Sequence, residues 1–479
     1  MKKKSIFKTL LLLVLVAGSA ACSDDDKKTG REAVDFAVTP ETIQFNAVGG
    51  NSIINVHVNG DDDWRIDNTA DWLSISETSG KGVGHAGLTV AANEATEERM
   101  ATINVISGTE TRPVTIRQSA ETGAVIVYDI APDPTNMSDM TSVQLTAAMG
   151  TGWNLGNTLE AIGGETAWGN PMANRQLIDG VKAAGFNTIR IPVSWSNFSD
   201  AASFTINPTW MSRVQEVVDY AIANDMYVIM NEHWDSGWMQ PTYAQQAYVN
   251  NRLGIMWKQI ATHFRDYDHH LIFAGSNEVM VDGNYGTPTA EYYTVQNSFN
   301  QTFVTAVRTT GGRNAFRYLA VQGFNTNIDH TIDFAVIPED VTPTRLLMEV
   351  HFYDPFNFTL SEANTITQWG ANATDPARTE TWANEAHVDT QFERMKTNFI
   401  DRGIGVIMGE YGAMARTDVP GHEVFRLYWV DYVSTSARNH GLVPVWWDNG
   451  IPENNHTMGI FNRSTGAVAH QNVVDAILP

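Results

Sequence analysis

The sequence predicts an α/β protein in which a (β/α)8 TIM barrel follows a small all-β sandwich. With 479 residues, of which 43% are hydrophobic and 18% charged, the chain has enough apolar material for two globular domains. From about Val34 to Gln118, short alternating segments are separated by Gly, Asn and Asp, which is typical of antiparallel strands. Beyond that point, apolar runs alternate with longer helical segments, and this pattern predicts repeated βα units.

Residues 1–21 have the features of an export signal. Basic residues, Lys2 to Lys4, precede an apolar run at 10–17 that is too short to span a bilayer permanently. Small residues then lead into Cys22, the only cysteine in the chain, so no internal disulfide can form. This arrangement resembles a bacterial lipoprotein signal, which implies that Cys22 becomes an acylated N-terminus. The alternative is an ordinary cleaved signal with an incidental cysteine.

The segment 22–33 is predicted to be an acidic tether. Asp24, Asp25 and Asp26 follow the cysteine without apolar neighbours, as expected of a solvated segment. The run resembles the acidic export tag of surface-exposed lipoproteins, which implies an outer-membrane protein that faces outward. The formal net charge of −23 argues against a nucleic-acid partner, because such binding needs Lys and Arg to neutralise phosphates. A neutral partner is favoured.

Residues 34–120 are predicted to form the sandwich, with turns at Asn59-Gly60 and Ser107-Gly108. The predicted strands include 53–58, 88–90, 101–105 and 114–116. Together with Trp64 and the run Asp71-Trp72-Leu73, the segment resembles a BACON-type module, an immunoglobulin-like domain often joined to carbohydrate-active enzymes. The sequence shows no row of aromatic residues that would make a sugar-binding face. A spacer role is therefore favoured over direct carbohydrate binding.

A linker at 121–138, which contains Pro132 and Pro134, leads to the barrel domain at 139–479. Helical patterns, for example at 211–223 and 392–401, separate eight apolar runs, as a (β/α)8 barrel requires. A doubly wound open sheet is the alternative, but no Gly-rich phosphate fingerprint follows the first run. The predicted barrel strands are 150–155, 188–193, 227–231, 271–276, 318–322, 346–351, 406–409 and 442–446.

Polar and aromatic side chains stand at the ends of these strands, where the active site of such a barrel lies. One polar residue at a strand end could be a salt-bridge partner, but six strand ends that carry them indicate a common site. The candidates are Arg190, Asn231, His233, Trp234, Asn277, Glu278, His351, Tyr353, Glu410 and Trp447.

Glu278 and Glu410 form the pair of carboxylates that glycoside hydrolysis needs. One carboxyl group must donate a proton to the leaving oxygen while the other attacks or assists at the anomeric carbon. We expect Arg190 to keep Glu410 ionised. Glu278 has no evident cation in the sequence, so we expect the negative charge of Glu410 to raise its pKa.

The ordered motifs from about Gly150 to Asn449 resemble those of glycoside hydrolase family 5, of the cellulase type. The matching runs are Gly152-Trp153-Asn154-Leu155-Gly156-Asn157, Ile189-Arg190-Ile191-Pro192, Ser276-Asn277-Glu278, His351-Phe352-Tyr353, Gly409-Glu410-Tyr411-Gly412 and Trp446-Trp447-Asp448-Asn449-Gly450. The resemblance implies a retaining endo-β-1,4-glucanase that works by double displacement on β-glucan polysaccharides or oligosaccharides. Within it, Glu278 is the acid/base and Glu410 the nucleophile.

The resemblance also assigns supporting residues around the two carboxylates. It implies that Asn277 grips a sugar hydroxyl, that Arg190 and Tyr353 orient Glu410, and that Trp447 forms a stacking floor. His233, His351 and Asn154 complete the implied site. The motif departs from the family at Trp234, because many members carry a second histidine directly after the position of His233.

Other interpretations stay open. A xyloglucan-specific or mixed-linkage glucanase on the same scaffold is the closest, a β-mannanase is further off, and a non-catalytic glycan-binding surface lipoprotein is of a different class. His269-His270 could suggest a metal, but no third ligand stands at a telling spacing, so a solvated loop is favoured. Nothing in the sequence calls for a cofactor, and the expected membrane contact is the lipid at Cys22.

Overall fold

The computed structural model describes residues 36–45, 47, 49–60, 62–95, 97–120, 126–233 and 236–479. The predicted signal at 1–21, the tether at 22–33 with Cys22, and Trp234 therefore lie outside the described residues. Among the helices of the described ranges, none combines the length and apolar character needed to cross a bilayer.

The N-terminal part is a sandwich of two sheets, as predicted. One sheet has the strand order β1-β3-β7-β5 and the other β2-β9-β8-β4-β6, and the pairs are antiparallel except β2 with β9. In chain order β1 to β9 are Phe36–Thr39, Thr42–Phe45, Gly50–Val58, Asp63–Asp67, Leu73–Ile75, Ser79–Lys81, Gly84–Val90, Arg99–Ser107 and Glu110–Gln118.

Alternation along the strands builds the sandwich core. In β7, Ala86, Leu88 and Val90 are buried while the residues between them point outward, which is the period-two pattern of a half-buried strand. Trp64 from β4 is buried in this core. Gly84 lies so close to Trp64 that a Cβ there would come within 2.8 Å of the indole ring, so glycine lets β7 pass across it.

The C-terminal part is a closed barrel of eight parallel strands, which confirms the predicted TIM barrel. Each strand from β10 to β16 pairs with the next, and β17 pairs with β10. The strands β10 to β17 are Gly152–Asn154, Thr188–Ile191, Tyr227–Asn231, Leu271–Ala274, Leu319–Gln322, Leu346–Phe352, Gly405–Tyr411 and Leu442–Trp446.

All eight predicted strands exist, but two end later than predicted. The strand β15 continues through His351 to Phe352, and β16 continues through Glu410 to Tyr411. The pairing between them shifts register at Val350/His351 and then resumes. Such irregularities re-aim side chains and are common beside active sites. Their cause is backbone pairing, which leaves no mark in the apolar pattern.

Helices surround the barrel and one of them closes its lower end. Leu145 and Met149 of α1 pack against the first residues of the strands and the side chains inside the barrel, including Tyr227 and Ile229. The opposite, carboxyl end is therefore left for a site. The helices α1 to α10 are Ser142–Met149, Arg175–Ala183, Pro208–Ile222, Tyr243–His263, Ala290–Thr309, Ile328–Phe334, Phe356–Thr359, Glu385–Asn398, His422–Asn439 and Gln471–Ile477.

Part of the predicted linker binds to the barrel. The backbone N–H of Asp129 donates to Thr309 O at 2.7 Å, and that of Asp133 donates to Gly312 O at 3.0 Å. Gly311 beside them has a φ of 67°, and a Cβ there would overlap the carbonyl oxygen of Ile130. This stretch is thus a docked strand-like segment rather than a free connection.

Candidate active site

A cleft opens at the carboxyl ends of the barrel strands, with a cavity of about 890 Å³. Asn154 and Arg190 lie beneath it and are fully buried. The structure thus brings together every residue of the predicted site that falls within the described part of the chain. Those that line the cleft are His233, Asn277, Glu278, His351, Tyr353, Glu410 and Trp447.

Arg190 is the centre of the hydrogen-bond network under the cleft. Its Nη1 donates to Asn154 Oδ1 at 3.0 Å and to Glu410 Oε1 at 2.9 Å, and its Nη2 donates to Asn277 Oδ1 at 2.6 Å. Asn154 is held in turn, because its Nδ2 donates to Gly409 O at 2.8 Å. One planar guanidinium therefore fixes side chains from three different strands or strand ends.

Glu410 is fixed at both carboxylate oxygens. Arg190 binds Oε1, and the hydroxyl of Tyr353 donates to Oε2 at 3.1 Å. Burial raises the pKa of the Glu410 carboxyl, while the charges of His351 and Arg190 act in the opposite direction. The expectation that Arg190 keeps Glu410 ionised left out burial, which outweighs both cations and leaves the pKa of Glu410 raised. The sequence does not reveal how deeply this carboxyl is buried.

Glu278 has a partner that the sequence argument left out. Nδ1 of His351 lies 2.7 Å from Glu278 Oε1 and 3.6 Å from Glu410 Oε2. Although burial lowers the pKa of His351, Glu410, Glu278 and Glu349 outweigh it and raise that pKa to about 9. His351 is therefore a cation at neutral pH, and the expectation that Glu278 lacks a neighbouring cation is wrong.

The two carboxylates approach each other closely across this imidazole. An oxygen of Glu278 and an oxygen of Glu410 lie within 4.8 Å of one another and of a ring nitrogen of His351. The side chain of Glu278 is 36% exposed, whereas that of Glu410 is 7% exposed. One carboxyl group thus faces the open cleft while the other is held in its floor.

Trp447 and His233 form one wall of the cleft. Their rings are stacked, with centroids 6.0 Å apart and an angle of 8° between the planes. Nδ2 of Asn231 lies 3.2 Å from Nδ1 of His233 and holds the ring in place. Burial, followed by the charges of Arg190 and His351, keeps the pKa of His233 well below its ordinary value, so the ring is neutral.

Sequence reasoning missed Glu349, which lies under the same network. Its side chain is fully buried in β15, with Oε1 2.9 Å from Nε of Arg190. The predicted site was drawn from polar residues at strand ends, whereas Glu349 stands inside an apolar strand. A carboxylate in that position was itself a signal, because buried charges require partners.

Two clusters of the described residues could in principle hold a metal ion. Their ligating atoms lie within 4.8 Å of one another, and they are Glu278, His351 and Glu410, and Asp268, His269 and His270. In the first, His351 already supplies positive charge between the carboxylates. In the second, Nδ1 of His270 lies 3.1 Å from Asp268 and Nε2 lies 3.5 Å from Asp225. Each cluster thus contains an ion pair between a histidine and a carboxylate.

Comparison with known proteins identifies both domains. The family described as "Cellulase (glycosyl hydrolase family 5)" matches residues 154–453, and the BACON family, described as a putative N-terminal binding domain, matches residues 62–119. The resemblances to glycoside hydrolase family 5 and to a BACON-type module are thereby confirmed.

Curated relatives match over most of their length. A xyloglucan-specific endo-β-1,4-glucanase of Bacteroides ovatus is 38% identical over 468 residues, which cover 93% of this chain and 91% of that protein. Endoglucanase A of Paenibacillus barcinonensis is 40% identical over 379 residues, covering 74% of this chain and 94% of the relative.

Solved structures of similar proteins share the architecture. A Bacteroides ovatus family 5 xyloglucanase in complex with a XXXG heptasaccharide has a TM-score of 0.72 at 39% identity, covering 92% of this chain and 98% of that one. A broad-specificity endoglucanase from Bacteroides salanitronis has a TM-score of 0.68 at 37% identity, and the match covers 74% of this chain and 98% of that one. The chain therefore belongs to glycosyl hydrolase family 5, with a BACON domain preceding its catalytic barrel.

Proposed function

We propose that this chain is a retaining endo-β-1,4-glucanase that hydrolyses internal bonds of β-glucan by double displacement. The observation that carries the proposal is the pair Glu278 and Glu410, which bring one oxygen each to within 4.8 Å of the other in one open cleft. Retaining glycosidases have carboxyl groups about 5–5.5 Å apart, whereas inverting enzymes need roughly 6.5–9.5 Å to admit a water molecule. The close approach supports retention.

In the first step, Glu410 attacks the anomeric carbon and forms a covalent glycosyl ester. The glycosidic C–O bond breaks, and Glu278 gives its proton to the leaving oxygen. In the second step, Glu278 takes a proton from water, whose oxygen attacks the anomeric carbon and releases Glu410. Arg190 and Tyr353 hold the two oxygens of Glu410 in one orientation throughout, which favours attack along a fixed line.

The remaining residues have roles in binding the sugar. The Oδ1 atom of Asn277 accepts from Arg190, which leaves Nδ2 as the donor for a sugar hydroxyl next to the anomeric carbon. Trp447 presents a flat face that suits a sugar ring, and the stacked His233 supports it from the side. Asn154 and His351 act through Arg190, Glu278 and Glu410.

Xyloglucan is a second candidate for the preferred substrate. The cleft is open at its rim, where Tyr285 and Phe356 line it with side chains that are 70% and 59% exposed. Exposed aromatic faces at a rim suit sugars that branch away from the backbone. A relative that matches 93% of this chain is named as xyloglucan-specific, which favours this candidate over a cellulose-type glucan.

The proposal is tested by digesting carboxymethyl-cellulose, barley β-glucan, xyloglucan and glucomannan, sizing the products and following the first anomer by proton NMR. We expect mixed internal fragments with β-configured ends. An α-anomer as first product would overturn retention, and cleavage of glucomannan alone would favour the mannanase interpretation. Absence of new reducing ends from every polymer would favour a non-catalytic glycan-binding lipoprotein.

We also propose that the protein is a lipoprotein of the bacterial outer membrane, exposed at the cell surface. The basic start, the short apolar run and the single Cys22 support this, and the acidic residues that follow suit a solvated tether. In this arrangement the BACON domain is a spacer that lifts the barrel away from the membrane.

A further inference from the structure

We propose that Glu349 is a positioning residue that holds Arg190 and His351 from below and thereby sets the pH range in which the cleft is active. Nothing in the family motifs assigns a role to this position. The inference rests on the proposed hydrolysis by Glu278 and Glu410, but it concerns a different question, namely what keeps the cations between those carboxylates in place.

Glu349 contacts both cations from the side opposite the cleft. Its Oε1 lies 2.9 Å from Arg190 Nε and 3.6 Å from His351 Nε2. Glu410 and Glu278 contact the other nitrogens of the same two groups. Each cation is therefore held between an anion below the floor and a carboxylate at the reaction centre.

The second oxygen of Glu349 is held by the side-chain amide of Gln322, which also binds the backbone of Ser276. Gln322 donates from Nε2 to Glu349 Oε2 at 2.7 Å, and its Oε1 accepts from the backbone N–H of Ser276 at 3.2 Å. Ser276 directly precedes Asn277 and Glu278 in the chain. The orientation of Glu349 is thus tied to the loop that carries the proposed acid.

The neighbouring strand β16 has a glycine, Gly409, where it faces the Glu349 carboxylate. A Cβ at Gly409 would overlap the Glu349 carboxylate, although the φ of Gly409 does not lie in the left-handed region. Glycine is needed here for space and not for backbone conformation. Because Gly409 directly precedes Glu410, the room for this buried carboxylate is made on the strand of the proposed nucleophile.

Glu349 acts on the cleft through its negative charge. Burial alone raises the pKa of its carboxyl, but Arg190 and His351 outweigh burial and lower that pKa, so Glu349 is an anion. Its charge helps to keep His351 protonated. Other charged and titratable groups lie around Glu349 and His351. They are Arg190 on β11, His233 after β12, Glu278 after β13, Tyr353 after β15 and Glu410 on β16.

The main test is the pH dependence of kcat/KM for Glu349→Gln on a soluble glucan. Removing one negative charge below two cations lowers the pKa of His351 and of Glu410. We therefore expect the acidic and the basic limb of the bell-shaped curve of kcat/KM against pH to move to lower pH by about one pH unit. Loss of the support under Arg190 should also lower kcat on the order of 10- to 100-fold with little change in KM.

Two further variants separate charge from structure. Glu349→Asp keeps the charge but shortens the reach, so it should lower kcat while the limbs stay at the pH values of the unmodified enzyme. Asp340→Asn is the matched control, because Asp340 forms an equally buried ion pair with Arg308 outside the cleft, at 2.7 Å. Asp340→Asn should lower the Tm and leave both limbs of the pH profile unchanged. If Glu349→Gln behaves like Asp340→Asn, Glu349 is only a structural residue.

A measurement on the unmodified enzyme does not require any Glu349 variant to fold. Nitrogen-15 NMR of the His351 ring, assigned by the signal that is lost in His351→Gln, should report a doubly protonated imidazole through pH 8. A neutral ring at pH 7 would overturn the proposal, since a neutral ring makes no charge contact with Glu349. This result does not depend on turnover, so it remains informative even if the enzyme cuts no glucan and the proposed function fails.

Discussion

At the residue scale, Glu410 and Glu278 are chemically identical groups in different surroundings. Glu410 is buried and bound by Arg190 and Tyr353, which suits a nucleophile that must hold one orientation. Glu278 is more exposed and pairs with His351, which suits a group that exchanges protons with a leaving oxygen and with water. The roles proposed for the two carboxylates therefore differ because their burial and their partners differ.

This difference predicts distinct effects of removing each carboxylate. Glu410→Ala should remove nearly all turnover with the fold intact, because the covalent step is lost. Glu278→Ala should still attack an aryl glycoside with a good leaving group, and azide should restore turnover with a β-configured product. Kinetics with azide and NMR of the product check this. Azide rescue with a β-configured product in Glu410→Ala instead would reverse the two roles.

His351 predicts a dependence of stability on pH. Its pKa is raised from 6.5 to about 9 in the folded protein, so its contribution is fully present below about pH 6.5 and is lost as the pH rises through 9. Urea unfolding at several pH values should show that the free energy of unfolding falls more steeply over this range in the unmodified enzyme than in His351→Gln. Equal slopes would contradict the assigned charge.

At the element scale, the sequence predicts which strands exist better than where they end. Eight apolar runs between helical segments were enough for the barrel, since each strand is buried on both faces. The extension of β16 through Glu410 depends on pairing with β15 across an irregularity, which no single segment encodes. Glu349 could not be placed in the site for the same reason, because Arg190 and Gln322, which hold its two oxygens, lie on other strands.

The close contact between β16 and Glu349 predicts the effect of Gly409→Ala. The new methyl group would displace the Glu349 carboxylate, and the strand is paired on both sides and cannot move away. We expect a loss of about 1–3 kcal/mol in the free energy of unfolding, together with reduced kcat.

Gly254 in α4 provides the matched control for that substitution. A Cβ there would lie 3.5 Å from Thr302, an ordinary contact, so Gly254→Ala should stabilise the helix by about 0.5–1 kcal/mol and leave kcat unchanged. Urea unfolding and steady-state kinetics measure both variants. A Gly409→Ala enzyme with full activity and stability would show that the floor of the cleft has room to adjust.

At the scale of the whole molecule, the two domains have separate apolar cores, which is why composition and pattern could distinguish them. Their contact could not be predicted. The segment around Asp129 and Asp133 binds the barrel through backbone groups, which carry no sequence signal. Phe45 of the sandwich and Val336 and Ile337 beside the barrel line a common crevice, but these residues are far apart in the chain.

Cys22 predicts where the protein is found in the cell. Its acylation should be the strong attachment to the membrane, because each buried CH₂ contributes about 0.8 kcal/mol and several acyl chains anchor stably. Cys22→Ser should move the protein from the membrane fraction to the soluble fraction without changing its specific activity. Fractionation followed by an assay on soluble glucan measures both. Retention of Cys22→Ser in the membrane would contradict the lipoprotein proposal.

The docked linker predicts how the barrel behaves when the sandwich is removed. Chains that begin at Ile126 or at Thr135 both retain every residue assigned to the cleft, since the first of these is Asn154. Both should therefore keep the full rate on soluble glucan. The shorter chain loses the hydrogen bonds from Asp129 and Asp133 to the barrel, so it should be less stable by on the order of 2 kcal/mol. Circular dichroism, urea unfolding and initial rates compare the two chains.

The chain that begins at Ile126 also tests the role of the sandwich. If this chain folds but loses most of its activity on soluble oligosaccharides, the sandwich contributes to the cleft and is more than a spacer.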